Sequence, residues 1–256
     1  MDEDELCKIV QRNFQSLPTF LQNKPIAAHT RAAFDAVFPK IDPSRNIILD
    51  SGCGTGRSTL LLGEMYPQHT VIGVDRSFVR LSKNALSDVV AGKDSPSERN
   101  QPFQVISSNV LLVRAELTDF WRCCLLAQQE NQWKISNHFI YYPNPYPKKN
   151  RVKKRFYAHA SFPLILQLGG DIAVRSNWEG YLKEFGQSVL YGNEYFSNIN
   201  LDEESEMLNV AAPYVKDALK GPIERRDKSV AMTNFEKKYD LAGEKTYELL
   251  LYYSKD

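Results

Sequence analysis

Cysteine is scarce in this chain: Cys7, Cys53, Cys123 and Cys124 are the only four in 256 residues. They form neither a paired C-x-x-C pattern nor a secreted disulfide framework, so reduced thiols are expected. The four histidines, His29, His69, His138 and His159, are scattered without ligand spacing, and no metal site is expected. No apolar run approaches 18 residues, and the acidic start Met1-Asp2-Glu3-Asp4-Glu5 is wrong for a signal peptide. A soluble, cytoplasmic chain with no membrane partner is the expectation. Charge of one sign is also lacking. Lys and Arg number 32 against 31 Asp and Glu, so any basic surface must be local. No internal repeat is present, and nothing sets an oligomeric state. What remains, 43% hydrophobic and 25% charged residues, suits an α/β domain with a sizeable core.

The richest stretch is Ile47-Ile48-Leu49-Asp50-Ser51-Gly52-Cys53-Gly54-Thr55-Gly56-Arg57-Ser58-Thr59. An apolar strand end meets an acid, then glycines at alternate positions, then a helical pattern from about Arg57. Such a strand, glycine turn and helix N-terminus make a site for a nucleotide-like ligand. The spacing narrows the ligand. A dinucleotide fingerprint needs G-x-G-x-x-G, and Arg57 stands where its third glycine falls. A phosphate-binding P-loop would need Gly at Ser51 and Lys at Arg57. The carboxylate of Asp50 would repel a pyrophosphate but suits a ligand carrying an ammonium group. S-adenosylmethionine has that group, a sulfonium and no phosphate, and Asp-x-Gly-x-Gly-x-Gly resembles motif I of class I methyltransferases. Taken alone, a turn with packing glycines would read the same way.

A second apolar run, Val71-Ile72-Gly73-Val74, ends in Asp75, 25 positions after Asp50. A carboxylate there can accept both ribose hydroxyls of a bound nucleoside; without the glycine loop it would read as a turn or cap residue. Strands over 47–50, 70–75, 110–113, 137–142, 170–175 and 246–253 alternate with helices over 57–66 and 77–90. This pattern predicts a doubly wound, mainly parallel, Rossmann-like sheet of α/β class. Residues 5–39 read as mostly helical with breaks near Pro18 and Pro25. Residues 1–45 are therefore expected to form a helical extension on a catalytic domain spanning 46–256. A polar Gly/Pro/Ser loop is expected over 91–102, and a solvated acidic run at Asp202-Glu203-Glu204-Ser205-Glu206.

After the fourth of these strands comes Tyr141-Tyr142-Pro143-Asn144-Pro145-Tyr146-Pro147-Lys148-Lys149-Asn150-Arg151-Val152-Lys153-Lys154-Arg155-Phe156. Three prolines in five residues stiffen the exit from the sheet. Asn144 is expected at the strand's carboxyl end, where the transferred methyl should lie. Six of the eight residues from Lys148 to Arg155 are basic. A solvated helix face would explain a bare lysine run, but at the mouth of a methyl-donor site the patch suits nucleic-acid phosphates.

The segment Pro-Asn-Pro-Tyr-Pro-Lys-Lys followed by Lys-Lys-Arg-Phe resembles the Pro-Asp-Pro-Trp-x-Lys and Lys-Arg-Arg signature of tRNA (guanine-N7)-methyltransferases. The resemblance continues at Ser176-Asn177-Trp178-Glu179-x-Tyr181 and at Thr233-Asn234-Phe235-Glu236, and covers roughly residues 46–253. It implies a class I S-adenosylmethionine-dependent methyltransferase that methylates a guanine of tRNA and releases S-adenosylhomocysteine. Carried over position by position, it implies cofactor contacts at Asp50, Gly52, Gly54, Gly56, Asp75, Arg76, Glu116 and Asn144. It also implies substrate contacts at Lys148, Asn177, Thr233 and Glu236, with tRNA held along 148–155. Asn144 occupies the position of the family's functional aspartate.

This chain has Asn at both 144 and 177 where the family pattern has Asp. Guanine N7 attacks with a lone pair and loses no proton, so no general base is needed, but the ring gains positive charge as the methyl arrives. A carboxylate would stabilise that charge by about 3 kcal/mol, most of which an amide gives up. Three readings follow: a guanine-N7 methyltransferase acting on tRNA, a methyltransferase of the same fold acting on another substrate, and a catalytically weak, cofactor-binding RNA-binding protein. Asn144-Pro145-Tyr146 also resembles, with one proline too few, the Asn-Pro-Pro-Tyr turn of amino-methyltransferases. That keeps N-methylation of adenine or of a glutamine side chain as a minor reading.

Overall fold

Continuous burial explains the centre of the sheet: every residue of Ile47–Ser51 and of Thr70–Asp75 is buried, as strands covered on both faces require. In the computed structural model, residues 1–83, 102–130, 133–198, 221–225 and 230–253 are described. The chain begins with helices α1 (Glu3–Gln15), α2 (Leu17–Asn23) and α3 (Ala28–Val37). The alternating core follows as β1 (Ile47–Ser51), α4 (Arg57–Met65), β2 (Thr70–Asp75) and α5 (Phe78–Leu81). Next come β3 (Phe103–Ser107), β4 (Val110–Arg114), α6 (Leu117–Gln129) and β5 (Ile135–Tyr141). Two short 3-10 turns, Lys149–Lys154 and Phe156–Ala158, lead to α7 (Phe162–Gln167), β6 (Asp171–Ser176) and α8 (Glu179–Asn198). The chain closes with β7 (Ile223–Glu224), α9 (Asn234–Leu241) and β8 (Tyr247–Leu251).

These elements form two compact units. One contains Ile26–Tyr141 and Ser229–Lys238. Its strands run in the order β3-β4-β2-β1-β5, with β1 parallel to β2 and β5, and β2 parallel to β4. The chain winds outward from β1 through β2 to β4, then returns to the other side of β1 as β5. That reversal beside β1 is the topological switch point of a doubly wound sheet, where ligands bind at strand carboxyl ends. The glycine loop leaves the sheet there. The other unit contains Met1–Pro25, Tyr142–Lys228 and Tyr239–Asp256. Within it β8 runs antiparallel to β6 and β7, and α1 packs on α8 through Phe14, Tyr195 and Phe196.

The expected strands and the helix from Arg57 are present, with ends shifted by one or two residues. β3 is an addition. Its residues are half-buried or exposed, and it pairs antiparallel with β4 at an edge, so it lacks the buried apolar run that marks the inner strands. Of the helix expected over 77–90, α5 forms Phe78–Leu81 and ends at Ser82, and the described residues stop at 83. The rest of it, loop residues 91–101 and the acidic run at 202–206 lie outside the described residues. Among the described residues, no helix is long and apolar enough to cross a membrane, and no cluster of metal-ligating side chains occurs.

Candidate functional site

The site is built where β1 gives way to α4. Gly52, Gly54 and Gly56 all have positive φ, 79°, 62° and 78°, which side chains with a Cβ adopt only at a cost of about 1–2 kcal/mol each. The Gly52 and Cys53 N–H groups donate to the Val74 carbonyl at 2.8 and 3.2 Å, stitching the loop to the end of β2. Gly54 N–H donates to Asp75 Oδ2 at 3.1 Å. A Cβ at Gly54 would meet nothing within 4 Å among the described residues, so this side of the loop is open to a ligand.

Asp50 lies beneath the loop, 1% exposed. Its Oδ2 accepts from Ser58 Oγ at 2.6 Å and Thr59 Oγ1 at 2.7 Å, which ties the first turn of α4 to β1. Gly73 makes this possible: a Cβ there would stand 2.3 Å from Thr59 Oγ1. The second oxygen of Asp50, Oδ1, is buried without a hydrogen-bond partner among the described residues. Burial raises the Asp50 carboxyl to about 6, against the hydrogen bonds from Ser58 and Thr59 and with a further push from Asp75. An orphaned acceptor and two crowded acids call for a cationic ligand.

Asp75 is 2% exposed. Besides Gly54, its carboxylate accepts from Ser77 N–H at 2.7 Å and from Arg80 Nη2 at 3.0 Å. A carboxylate offers about four lone-pair sites, so it retains capacity for a hydroxyl. Arg76 is exposed; the arginine that reaches Asp75 is Arg80. Glu116 caps α6, its side chain accepting from Asp119 N–H at 3.1 Å while its own N–H donates to Thr30 Oγ1 at 3.1 Å. Thr30 is fully buried on α3, and Ala27 N–H donates to Asp119 Oδ2 at 3.0 Å. Sequence reading missed Arg80, Thr30 and Ala27 because their partners lie in other elements and no local pattern marks them. Behind Asp50, Ser51 Oγ contacts His138 Nε2 at 2.7 Å and accepts from Trp121 Nε1 at 3.0 Å. Burial depresses His138 to about 3, so it stays neutral.

The segment Thr233–Glu236 folds back onto the glycine loop. Arg57 Nε donates to the Ala231 carbonyl at 3.1 Å, and Asn234 Nδ2 to Thr55 Oγ1 at 3.3 Å. Thr233 caps α9, accepting from Glu236 N–H at 3.0 Å, while the Glu236 carboxylate accepts from Met232 N–H. This is close to a reciprocal capping box. Glu236 is fully buried by it.

Asn144, Lys148 and Asn177 belong to the other unit. Asn144 is exposed three residues beyond β5, its Oδ1 accepting from Tyr146 N–H at 3.2 Å. Tyr142 and Tyr146, on either side of it, have φ of 51° and 40°, left-handed values that are costly for aromatic residues and cluster at functional sites. Asn177 is half-buried in the turn after β6, and Lys148 is exposed. The basic run divides. Lys148, Lys149, Arg151, Lys153 and Lys154 face solvent, but Arg155 turns inward. Its guanidinium donates to the Tyr146 carbonyl at 3.1 and 3.3 Å, to Tyr157 Oη at 2.7 Å and to Glu184 Oε2 at 2.9 Å, and lies 4.8 Å from the Trp178 ring centre. The surface cations expected over 148–155 are thus five, and Arg155 holds the strained Pro-Asn-Pro turn.

S-adenosylmethionine fits the residues of the first unit. The orphaned Asp50 oxygen matches its ammonium, the open face of Gly54 admits close approach, and Asp75 and Glu116 can accept from ribose and adenine. A family model described as "Putative methyltransferase" matches residues 44–249. Over 195 residues the chain is 25% identical to a tRNA (guanine-N(7)-)-methyltransferase of Mycolicibacterium gilvum, covering 74% of this chain and 67% of that protein. Over 142 residues it is 23% identical to the one from Acinetobacter baylyi, covering 54% and 50%. The chain thus spans about half to two thirds of the length of these relatives. A solved structure described as an antibiotic-related methyltransferase aligns over 90% of this chain and 96% of its own, with 12% identity and a TM-score of 0.46. The chain belongs to the S-adenosylmethionine-dependent methyltransferase family that this model describes, and is a divergent relative of these tRNA (guanine-N(7)-)-methyltransferases.

Proposed function

We propose that this methyltransferase transfers its methyl group to N7 of a guanine in tRNA. The observation that carries this reading is the docking of Ala231–Glu236 on the glycine loop through Arg57 and Asn234. The glycine loop, which resembles motif I of class I methyltransferases, is thereby joined to Thr233–Glu236, which resembles a segment of the guanine-N7 family. The bound cofactor supplies an electrophilic methyl on a cationic sulfur. Asp50 would hold its ammonium, Asp75 a ribose hydroxyl and Glu116 its adenine amino group. Lys148 and the neighbouring exposed cations hold tRNA phosphates, and Asn144 occupies the position of the family's functional aspartate. Guanine N7 brings a lone pair and no proton, so Asn144 need not act as a base. Its amide dipole stabilises the developing ring charge less than a carboxylate would.

Incubation with labelled S-adenosylmethionine and unmodified total tRNA, followed by nucleoside mass spectrometry, tests this. 7-Methylguanosine is expected; a different methylated nucleoside would refute the target. The asparagines at 144 and 177 favour a second reading, in which the scaffold acts on another acceptor or binds RNA with weak turnover. Asn144→Asp separates the two: it should raise guanine-N7 transfer, and an unchanged rate would count against the charge argument.

A further inference from the structure

The turn that carries Asn144 is held from outside itself. Asn144 Oδ1 accepts from Tyr146 N–H at 3.2 Å, so the Tyr146 peptide sets where the Asn144 side chain points. That peptide is strained. Tyr146 has φ of 40°, which an aromatic residue keeps only where its surroundings over-determine it. Arg155 supplies the constraint, with Nε and Nη2 both donating to the Tyr146 carbonyl, at 3.3 and 3.1 Å. Arg155 is 4% exposed, and a buried guanidinium without an anion beside it is strongly unfavourable. Among the described residues one carboxylate pairs with it. Glu184, on α8, accepts through Oε2 from Arg155 Nη1 at 2.9 Å and from Tyr157 Oη, while its Oε1 takes the Met1 ammonium at 2.5 Å. Burial, and then the bond to Glu184, raise the Tyr157 hydroxyl above its ordinary range, so it remains a donor. Glu184, Arg155, Tyr146 and Asn144 all lie in one unit.

We infer that Glu184 is a positioning residue for methyl transfer: it fixes Arg155 and, through the Tyr146 peptide, Asn144. This rests on the role given to Asn144 above and adds a residue that acts through two others. Without Glu184 the guanidinium is drawn towards solvent and releases the Tyr146 carbonyl, and a misplacement of about 1 Å at a reacting site costs up to roughly 100-fold in rate. Transfer of labelled methyl to unmodified total tRNA, measured well below the melting temperature, tests this. Glu184→Ala should lower kcat by roughly 10- to 100-fold, with KM for cofactor and tRNA near wild type. Glu184→Gln keeps the shape and an acceptor but not the charge, so it should lose less, and it carries the test if Glu184→Ala does not fold. A double-mutant cycle shows how the residue acts. In an Asn144→Ala background neither change at 184 should cause a further loss, because the group it positions is gone. A merely structural role would lower the melting temperature and give the same loss with or without Asn144. Wild-type kcat in both Glu184 variants, or equal losses in the two backgrounds, overturns the inference while leaving the guanine-N7 reading intact. A methylated nucleoside other than 7-methylguanosine refutes the target alone, and the cycle is then read on that product. A wild-type chain that transfers no methyl to RNA overturns both.

Discussion

Asp50 ties cofactor affinity to pH. Its carboxyl is raised to about 6 from an ordinary 3.8, chiefly by burial, and its unpaired Oδ1 is the acceptor offered to the cofactor's ammonium. That ammonium, an α-amino group of pKa about 8, stays charged below neutrality. Binding must then take up the ionised form of Asp50, and protonation competes with it. If the bound carboxyl returns to its ordinary range, the dissociation constant is nearly flat between pH 7 and 7.5 and about tenfold weaker at pH 5. Stability moves the other way. Because the folded value is raised, the unfolded chain ionises first, and the cofactor-free protein loses stability as pH rises from about 4 to about 6. The deficit, about 3 kcal/mol, is complete above that range. Asp50→Asn removes it while its amide oxygen still accepts from Ser58 and Thr59. The variant should melt higher than wild type at pH 7.5, bind S-adenosylmethionine more weakly, and lose the pH dependence. Calorimetric titration from pH 5 to 7.5 measures the affinities, with methylthioadenosine as the control that lacks the ammonium and should show no such dependence. Equal pH dependence for both ligands, or a lower melting temperature in Asp50→Asn, would refute the reasoning.

Three further outcomes are expected. Arg155→Ala should destabilise the protein by about 1–3 kcal/mol, because the Tyr146 carbonyl and Glu184 lose the guanidinium while Glu184 keeps the Met1 ammonium; Lys153→Ala should leave the melting temperature unchanged and weaken tRNA binding in a salt-dependent way. Gly73→Ala should lower both the melting temperature and cofactor affinity, since its Cβ would displace Thr59 from Asp50; thermal melts and titration check both. Thr30→Val should weaken cofactor binding several-fold through the lost anchor on Glu116, and Thr30→Ser should restore it, measured by equilibrium dialysis.

The local pattern of the chain already determined the strand–glycine–helix core, the acid at the end of β2 and the proline turn after β5. Each follows from periodicity, backbone freedom or rigidity within a dozen residues. Buried inner strands announce themselves as apolar runs, whereas the edge strand β3, with mixed exposure, does not. Spacing alone could not say which arginine reaches Asp75. Arg76 adjoins it in sequence, but one turn of α5 aims Arg80 at the carboxylate. Nor could composition divide the basic run, because Arg155 is drawn inward by Glu184, Tyr157 and Trp178, all later in the chain. Tertiary structure likewise decided that Glu236 is a buried cap beside the glycine loop, and that Asp50 holds its proton to about pH 6. Burial, desolvation and hydrogen bonds between distant segments arise only once the chain has closed on itself, and these set the charge and direction of the side chains that meet the ligands.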